Sequence, residues 1–344
     1  MWADDRQSAT QRIASELGPL PASDAKFMRR VRVHQAWYRA NVLGLARFGR
    51  LAGSRRLCGS VLADKDALRN LNFLGAAALE SYQARRVSGW GVDPVRCTKY
   101  LTSSQTLTFN MLAEVVRHQR EAARLFGGLL GLLDLAWLET ADFEFSPAGT
   151  PYWLGDRTLI DLLLRFRTVD GGVQVVAVET KLADRFSTRR TAAMGGARYR
   201  EVQEARSIWA NLEASLAENR TRQLTRCHAL AQSVQLLDSG RRDRSAVLLV
   251  LLHPEDETRI DTAELYADGL SHRVDAAFAT WDIFLDAATR TDAMADDLQE
   301  ALVERYVDMT ASKEVWATVR GRPTPTEDLA AALHQLATAG EPLA

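Results

Sequence analysis

Three side chains pose a chemical question before any element is assigned. Glu179 and Lys181 stand one residue apart in "VVAVETKLADRF" (175–186), where an apolar run stops. Asp161 stands near the start of another apolar run, "TLIDLLLRFRTV" (158–169). Alternate residues of a strand share a face, so Glu179 and Lys181 point the same way as Val175 and Ala177. Leu159, Asp161, Leu163 and Arg165 share a face in the preceding run by the same rule. Asp170-Gly171-Gly172 between the runs is a hairpin signal. With Val169 opposite Val173, Asp161 falls opposite residue 180 or 181. Two carboxylates and an ammonium then meet at one end of a sheet, provided the register does not slip by one and flip a face.

Two carboxylates on rigid backbone suit a hard divalent cation. Mg²⁺ takes oxygen ligands in an octahedron at about 2.0–2.1 Å and keeps several waters. Asp161 and Glu179 supply two ligands, and the Thr180 carbonyl a third. Such a cation polarises a phosphodiester oxygen and lowers the pKa of bound water. Lys181 would orient and help deprotonate that water, or stabilise charge developing on phosphorus. The chain has five lysines among its 43 Lys and Arg. A lysine placed here therefore carries more meaning than an arginine, because only Lys is a compact ammonium with a tunable pKa. The plain alternative is a cross-strand ion pair on a solvated edge.

Elements must hold these residues. "SDAKFMRRVRVHQAWYRANVLG" puts Phe27, Val31, His34, Trp37 and Val42 at helical spacing with Arg on the other side. "SSQTLTFNMLAEVVRHQREAARLFGG" opens on serine caps and ends in Gly-Gly, which predicts one helix from about 104 to 126. The pattern then changes. "ADFEFSP" (141–147) alternates, the two apolar runs follow, and "RYREVQEARSIWANLEASLAENRTRQLTRCHALAQSVQLL" reads as one long helical region. "SAVLLVLL" (245–252) fits a buried strand, and "VDAAFATWDIFLDAA" a short strand running into a helix. The order predicts an α/β core with a helical N-terminal extension. The expected boundaries are 1–100 helical, 101–310 core, and 311–344 a linker ("GRPTPTED") with a last short helix.

Composition narrows the classes. Formal net charge is -1, so any basic face is local. Cys58, Cys97 and Cys227 stand far apart, which argues for a reducing cytoplasm and against a zinc or disulfide framework. "MWADDRQSAT" has no apolar stretch behind it, and "LFGGLLGLLDLAWLE" (125–139) is too short and carries Asp134. Neither a secretory signal nor a membrane span is expected. No G-x-S-x-G, phosphate-binding Gly-Lys-Ser loop or zinc pattern occurs.

The Asp and the Glu-x-Lys across a hairpin resemble the PD-(D/E)XK nuclease superfamily, with Ile160-Asp161 in place of Pro-Asp. "LTSSQTLTFNML", "FEFSP", "DLLLRF" and "VETKLADRFS" together look like a family of putative bacterial restriction endonucleases within it. The matching residues are Ser103, Ser104, Gln105, Phe109, Asn110, Glu144, Ser146 and Pro147. One departure is Lys181-Leu182-Ala183-Asp184, where such proteins tend to have Lys-Tyr-x-Glu. The resemblance implies a restriction-endonuclease-like core with a mixed central sheet flanked by helices. It also implies Mg²⁺, with Mn²⁺ substituting, a DNA substrate, a homodimer that cuts both strands, and a restriction or phage-defence role.

Glu144 follows as a third metal carboxylate or a support for Lys181, with Phe143 and Phe145 facing away from it. A solvent-facing residue is the alternative there. Ser104, Gln105 and Asn110 are candidate substrate contacts, since free N–H groups at a helix start favour phosphate; plain caps and structural hydrogen bonds are the alternatives. Arg185, Arg189 and Arg190 follow the site strand directly and are candidate phosphate contacts; a solvated basic surface is the alternative. Two rival functions remain: a catalytically silent nucleic-acid-binding or interaction protein on the same fold, and a nuclease acting on RNA.

Overall fold

The computed structural model describes residues 16–21, 24–147, 149–239 and 244–319. The linker and last helix expected beyond 320 lie outside them. In chain order the elements used below are α1 (Lys26–Asn41), β1 (Gly49–Arg50), β2 (Leu57–Cys58), α2 (Ala76–Val87), α3 (Ser104–Leu112), α4 (Gln119–Leu130), β3 (Leu135–Phe145), β4 (Ile160–Thr168) and β5 (Val173–Thr180). Then follow α5 (Ala197–Arg206), α6 (Leu212–Ala217), α7 (Arg222–Ser239), β6 (Val247–Leu252), α8 (Glu257–Asp268), β7 (Ala276–Thr280) and α9 (Trp281–Arg290). No helix among the described residues is long and apolar enough to cross a membrane.

The chain forms two compact units. Among the described residues, the smaller draws on those within 1–74, 93–107 and 301–344, the larger on those within 75–92 and 108–300. In the smaller unit, Val33 and Ala36 of α1 pack on Leu17, Leu20 and Trp316. Its arginines do not all face solvent, contrary to the helical-wheel expectation. Arg39 is buried and donates to the carbonyls of Gly59 at 2.9 Å and Arg47 at 3.1 Å. Arg30 is also buried and gives Nη1 to Ser312 Oγ at 2.7 Å. A guanidinium carries five donors, so it can tie several carbonyls that no helix or strand satisfies. His34 lies between Ser312 Oγ and the Glu304 carbonyl, each at 3.0 Å, and burial lowers its pKa to about 4.

The larger unit is an α/β sandwich on one mixed sheet of order β3-β4-β5-β6-β7. β3, β4 and β5 are antiparallel neighbours, while β5, β6 and β7 run parallel. Every residue of β5 and β6 is buried, as continuous Val/Leu runs require when both faces are covered. Val173, Val175 and Ala177 pack on Leu224, Cys227 and Leu230 of α7. The opposite face carries Phe166, which meets Phe126 of α4 at 5.7 Å between ring centroids, and Phe126 meets Phe284 of α9 at 6.1 Å.

Two predicted helices are broken. The stretch expected as one helix from 104 to 126 becomes α3, a 3₁₀ turn at Val115–Arg117, and α4. Adjacent β-branched residues, Val115 and Val116, weaken helix at that point. The long helical region splits into α5, α6 and α7. Ser207 ends α5 in the left-handed region at φ 50, and Asn211 opens α6 by accepting the Ala214 N–H at 2.9 Å, as its short polar side chain favours.

The hairpin forms, but with its register displaced by two from the simplest count. Arg167 rather than Val169 pairs with Val173, and Leu162 pairs with Val178. Thr168 N–H donates to the Gly172 carbonyl at 3.1 Å and Gly171 N–H back to the Thr168 carbonyl at 2.9 Å. Gly171 takes the left-handed turn at φ 80, a conformation open to glycine without a Cβ clash. A shift of two keeps every side chain on its expected face. Continued by one step, the ladder places Asp161 opposite Glu179.

Candidate active site

The sheet delivers three acids to neighbouring strand ends. Phe143 pairs with Leu162 and Phe145 with Ile160, so Glu144 sits opposite Asp161, which in turn sits opposite Glu179. Glu144 is not an ordinary strand residue. Its φ is 47, a left-handed conformation that costs a non-glycine residue roughly 1–2 kcal/mol. The kink breaks the alternation expected of "DFEF". Phe143 stacks on Phe109 of α3 at 4.9 Å, while Phe145 joins the α7 side of the sheet. Arg85 of α2 holds the kink, giving Nε to the Phe143 carbonyl and Nη2 to the Glu144 carbonyl, both at 2.8 Å. Glu144 is buried at 2 % exposure, which excludes the solvent-facing alternative. Strained backbone of this kind persists where surrounding contacts over-determine it, and functional sites are where it concentrates.

Asp161 is anchored where the β4–β5 ladder ends. Its Oδ2 accepts the Thr180 N–H at 2.8 Å and the Thr180 hydroxyl at 3.0 Å. Thr108 of α3 lies 2.6 Å from that hydroxyl and so donates to it. Glu179 is fully buried against α7. Its Oε1 accepts from Lys181 Nζ and from Gln223 Nε2, the latter at 2.5 Å, and Cys227 Sγ approaches Oε2 at 3.5 Å. Gln223 also accepts the Ser187 N–H at 2.6 Å, tying the segment beyond the site strand to the same carboxylate. The Lys181 ammonium sits 5.4 Å from the centre of the Phe186 ring. Behind it, Arg259 donates to the carbonyls of Ala183 and Asp184 at 3.0 and 3.3 Å and so fixes the departing chain.

The electrostatics follow from burial. Loss of water pushes the Glu179 carboxyl from 4.5 up to about 7, and the neighbouring Asp161 charge adds to this; Lys181 opposes both. Burial works against the Lys181 ammonium, but Glu179 and Asp161 outweigh it and hold its pKa above the ordinary lysine value. Burial, then Glu179, keeps the Cys227 thiol protonated.

Ser103 caps α3 through Thr106 N–H at 3.3 Å. Ser104 and Gln105 belong to the smaller unit, where Gln105 Oε1 accepts the Asp93 N–H at 3.1 Å. Asn110 is buried in the larger unit, and Arg185, Arg189 and Arg190 are exposed on the segment after Lys181. His228 is a packed core residue, 2.9 Å from the Tyr266 hydroxyl, with its pKa lowered to about 4 by burial. Sequence reasoning missed Gln223, Cys227 and Thr108. The available signal was α7 itself, in which Gln223 and Cys227 stand four apart, on one face of a largely buried helix.

Among the described residues no three His, Cys, Asp or Glu side chains converge as a ready metal cluster. The donor set nonetheless fits a hard divalent cation. It is all oxygen, and the mutual repulsion of Asp161 and Glu179 is what a cation between them would relieve. Second-sphere donors such as Gln223 orient metal-binding carboxylates and typically matter by about 10–100-fold in metal affinity. We therefore expect Gln223→Leu to weaken Mn²⁺ binding by about tenfold in a calorimetric titration, with a melting temperature close to the parent's. Unchanged affinity would remove Gln223 from the site.

Comparison with known proteins finds no match among curated proteins and none among solved structures. A profile of the PD-(D/E)XK nuclease superfamily matches residues 22–308, most of the chain's length and the whole of the sheet. Nucleases of this superfamily generally use divalent metals. With Asp161 on one strand and Glu179-x-Lys181 on the next, and that match over most of its length, the chain belongs to the PD-(D/E)XK nuclease superfamily.

Proposed function

We propose that this protein is a Mg²⁺-dependent endonuclease hydrolysing DNA phosphodiester bonds, in restriction or phage defence. The observation that carries the chemistry is the alignment of Glu144, Asp161 and Glu179 across three strand ends with Lys181 alongside. Asp161, Glu179 and the Thr180 carbonyl would hold the cation, and Mn²⁺ would substitute. Bound there, the cation supplies Lewis-acid activation of the phosphate and an acidified water. Lys181 stays an ammonium, so charge stabilisation at phosphorus suits it better than proton abstraction. Gln223 and Ser187 keep Glu179 in place, and Arg85 keeps Glu144 in place. The defence role rests on the "SSQ", "FEFSP" and "VETK" resemblance. A homodimer acting in the cytoplasm is the form such an enzyme would take.

One observation favours a silent site: Lys181 already neutralises the carboxylate that a cation would use. Supercoiled plasmid incubated with the protein and Mg²⁺, Mn²⁺ or EDTA separates the readings. Metal-dependent nicking that Glu179→Ala abolishes supports the nuclease. Nicking by the variant at the parent's rate would sink it, and an RNA substrate of the same length tests the rival specificity.

Calorimetry gives a second, independent check. Below about pH 7 a cation must displace the proton on Glu179. Apparent Mn²⁺ affinity should therefore fall about tenfold per pH unit below 7 and level off above it. In the metal-free protein the sign reverses for stability. A carboxyl raised from 4.5 to about 7 contributes most below pH 4.5, and that contribution is lost as pH rises through 7. Metal-free melting temperature should drop from pH 5 to pH 8 and recover with Mn²⁺. A pH-independent affinity would rule out Glu179 as a ligand.

A further inference from the structure

α7 turns Gln223 and Cys227 toward Glu179, and Arg226 lies one position before Cys227 on the same helix. Arg226 is buried, at 6 % exposure, and its Nε has no hydrogen-bond partner. Among the described residues no ion pair includes it. Its charge bears on Tyr199 and Cys227. The nearby carboxylate is already committed, because Asp156 Oδ2 accepts from the Tyr199 hydroxyl at 2.7 Å and from the Thr191 hydroxyl at 3.2 Å. Asp156 Oδ1 accepts the Thr158 N–H at 2.8 Å.

Arg222, one turn earlier, shows what a structural arginine does on this helix. It is buried too, but it spends its donors on the carbonyls of Leu216, Ala217 and Thr188. The charges of Arg190 and Arg226 both repel it, while Glu218 attracts it. Arg190 is exposed and lines a cleft of about 400 Å³ with Thr191, Leu216 and Ala217; Glu213 is the acid in that lining. Leu216 and Ala217 are the residues that Arg222 holds, and Thr191 is the residue that holds Asp156. Arg190 and Arg226 thus both lie close enough to Arg222 for their charges to act on it, and Arg226 flanks Gln223 and Cys227, the two α7 residues that touch Glu179. A guanidinium whose buried Nε finds no acceptor is costly unless an anion completes it. Phosphate is the anion that its planar fork matches.

We propose that Arg226 and Arg190 form a phosphate subsite, which takes the backbone phosphate next to the one cleaved at Asp161 and Glu179. This rests on the nucleolytic reading above but is tested apart from it, by binding rather than cleavage. Short labelled duplex and single-stranded DNA are titrated in EDTA over a salt series and followed by fluorescence anisotropy. Arg226→Gln should weaken binding about tenfold and lower the log–log salt slope by about one, as loss of one phosphate contact does. Arg190→Gln should lower the slope likewise. A methylphosphonate at the neighbouring position should cost the parent the same factor and Arg226→Gln nothing more. With Mg²⁺, Arg226→Gln should raise KM more than it lowers kcat. Unchanged affinity and slope in Arg226→Gln, or no binding by the parent, overturns the subsite. If Arg226→Gln does not fold, an unchanged slope in the exposed Arg190→Gln overturns it instead. Cleavage by Glu179→Gln at the parent's rate would fail the nuclease reading alone.

Discussion

Asp161→Asn and Glu179→Gln should each lower plasmid cleavage by at least about a thousandfold, some 4 kcal/mol of transition-state stabilisation. Each swap removes a charge and leaves the shape. Asparagine is the better test at 161, because Asp161 does two jobs. Its Oδ2 takes the Thr180 N–H and hydroxyl where the strand ladder stops. An amide oxygen can still accept both, whereas alanine would leave a part-buried N–H without its acceptor, at about 1–3 kcal/mol. Loss of activity in Asp161→Ala would therefore mix chemistry with structure. Circular dichroism melts of both variants would show it, with Asn near the parent and Ala lower. Full cleavage by Asp161→Asn would take the metal role away from Asp161.

The second large effect is on stability. Lys181 and Glu179 form an ion pair that is almost wholly buried, with side-chain exposures of 8 % and 0 %. Breaking such a pair from one side commonly costs about 3–5 kcal/mol, since the remaining charge has lost its partner. Lys181→Met should fall at the low end, because Glu179 can take up a proton near neutrality and Gln223 still donates to it. The double variant Glu179→Gln with Lys181→Met should return to within about 1 kcal/mol of the parent, as replacing both charges often does. It should remain inactive. Urea unfolding of the four proteins closes the cycle. A coupling near zero would mean that the pair is not formed in solution.

Much of the site could be read from the sequence because it is local. Asp161, the glycine turn and Glu179-x-Lys181 lie on two consecutive strands, and alternation alone assigns their faces. Even a register wrong by two left those faces right. The fold class followed from the same runs. What stayed hidden depended on tertiary neighbours. Nothing in "DFEF" announces the left-handed backbone at Glu144, which Arg85 of a distant helix supports. Gln223 and Arg226 look like ordinary polar residues until α7 is laid across β5. The breaks that split the long helical region at Ser207 and Asn211 needed side-chain-to-backbone bonds that periodicity does not count. In the smaller unit, buried Arg30 and Arg39 defeated the assumption that arginine faces water.

The turn at Gly171 has a consequence for assembly. β4 and β5 meet through a few residues, so bringing Asp161 to Glu179 closes a short loop and forfeits little chain entropy. β5 and β6 instead pair in parallel across the whole excursion from Lys181 to Ala246, a contact of much longer range and slower to form. The half of the sheet that carries the acids is thus the locally encoded half. The parallel half, with α7 returning Gln223 and Cys227, is what buries those acids and raises the proton affinity of Glu179.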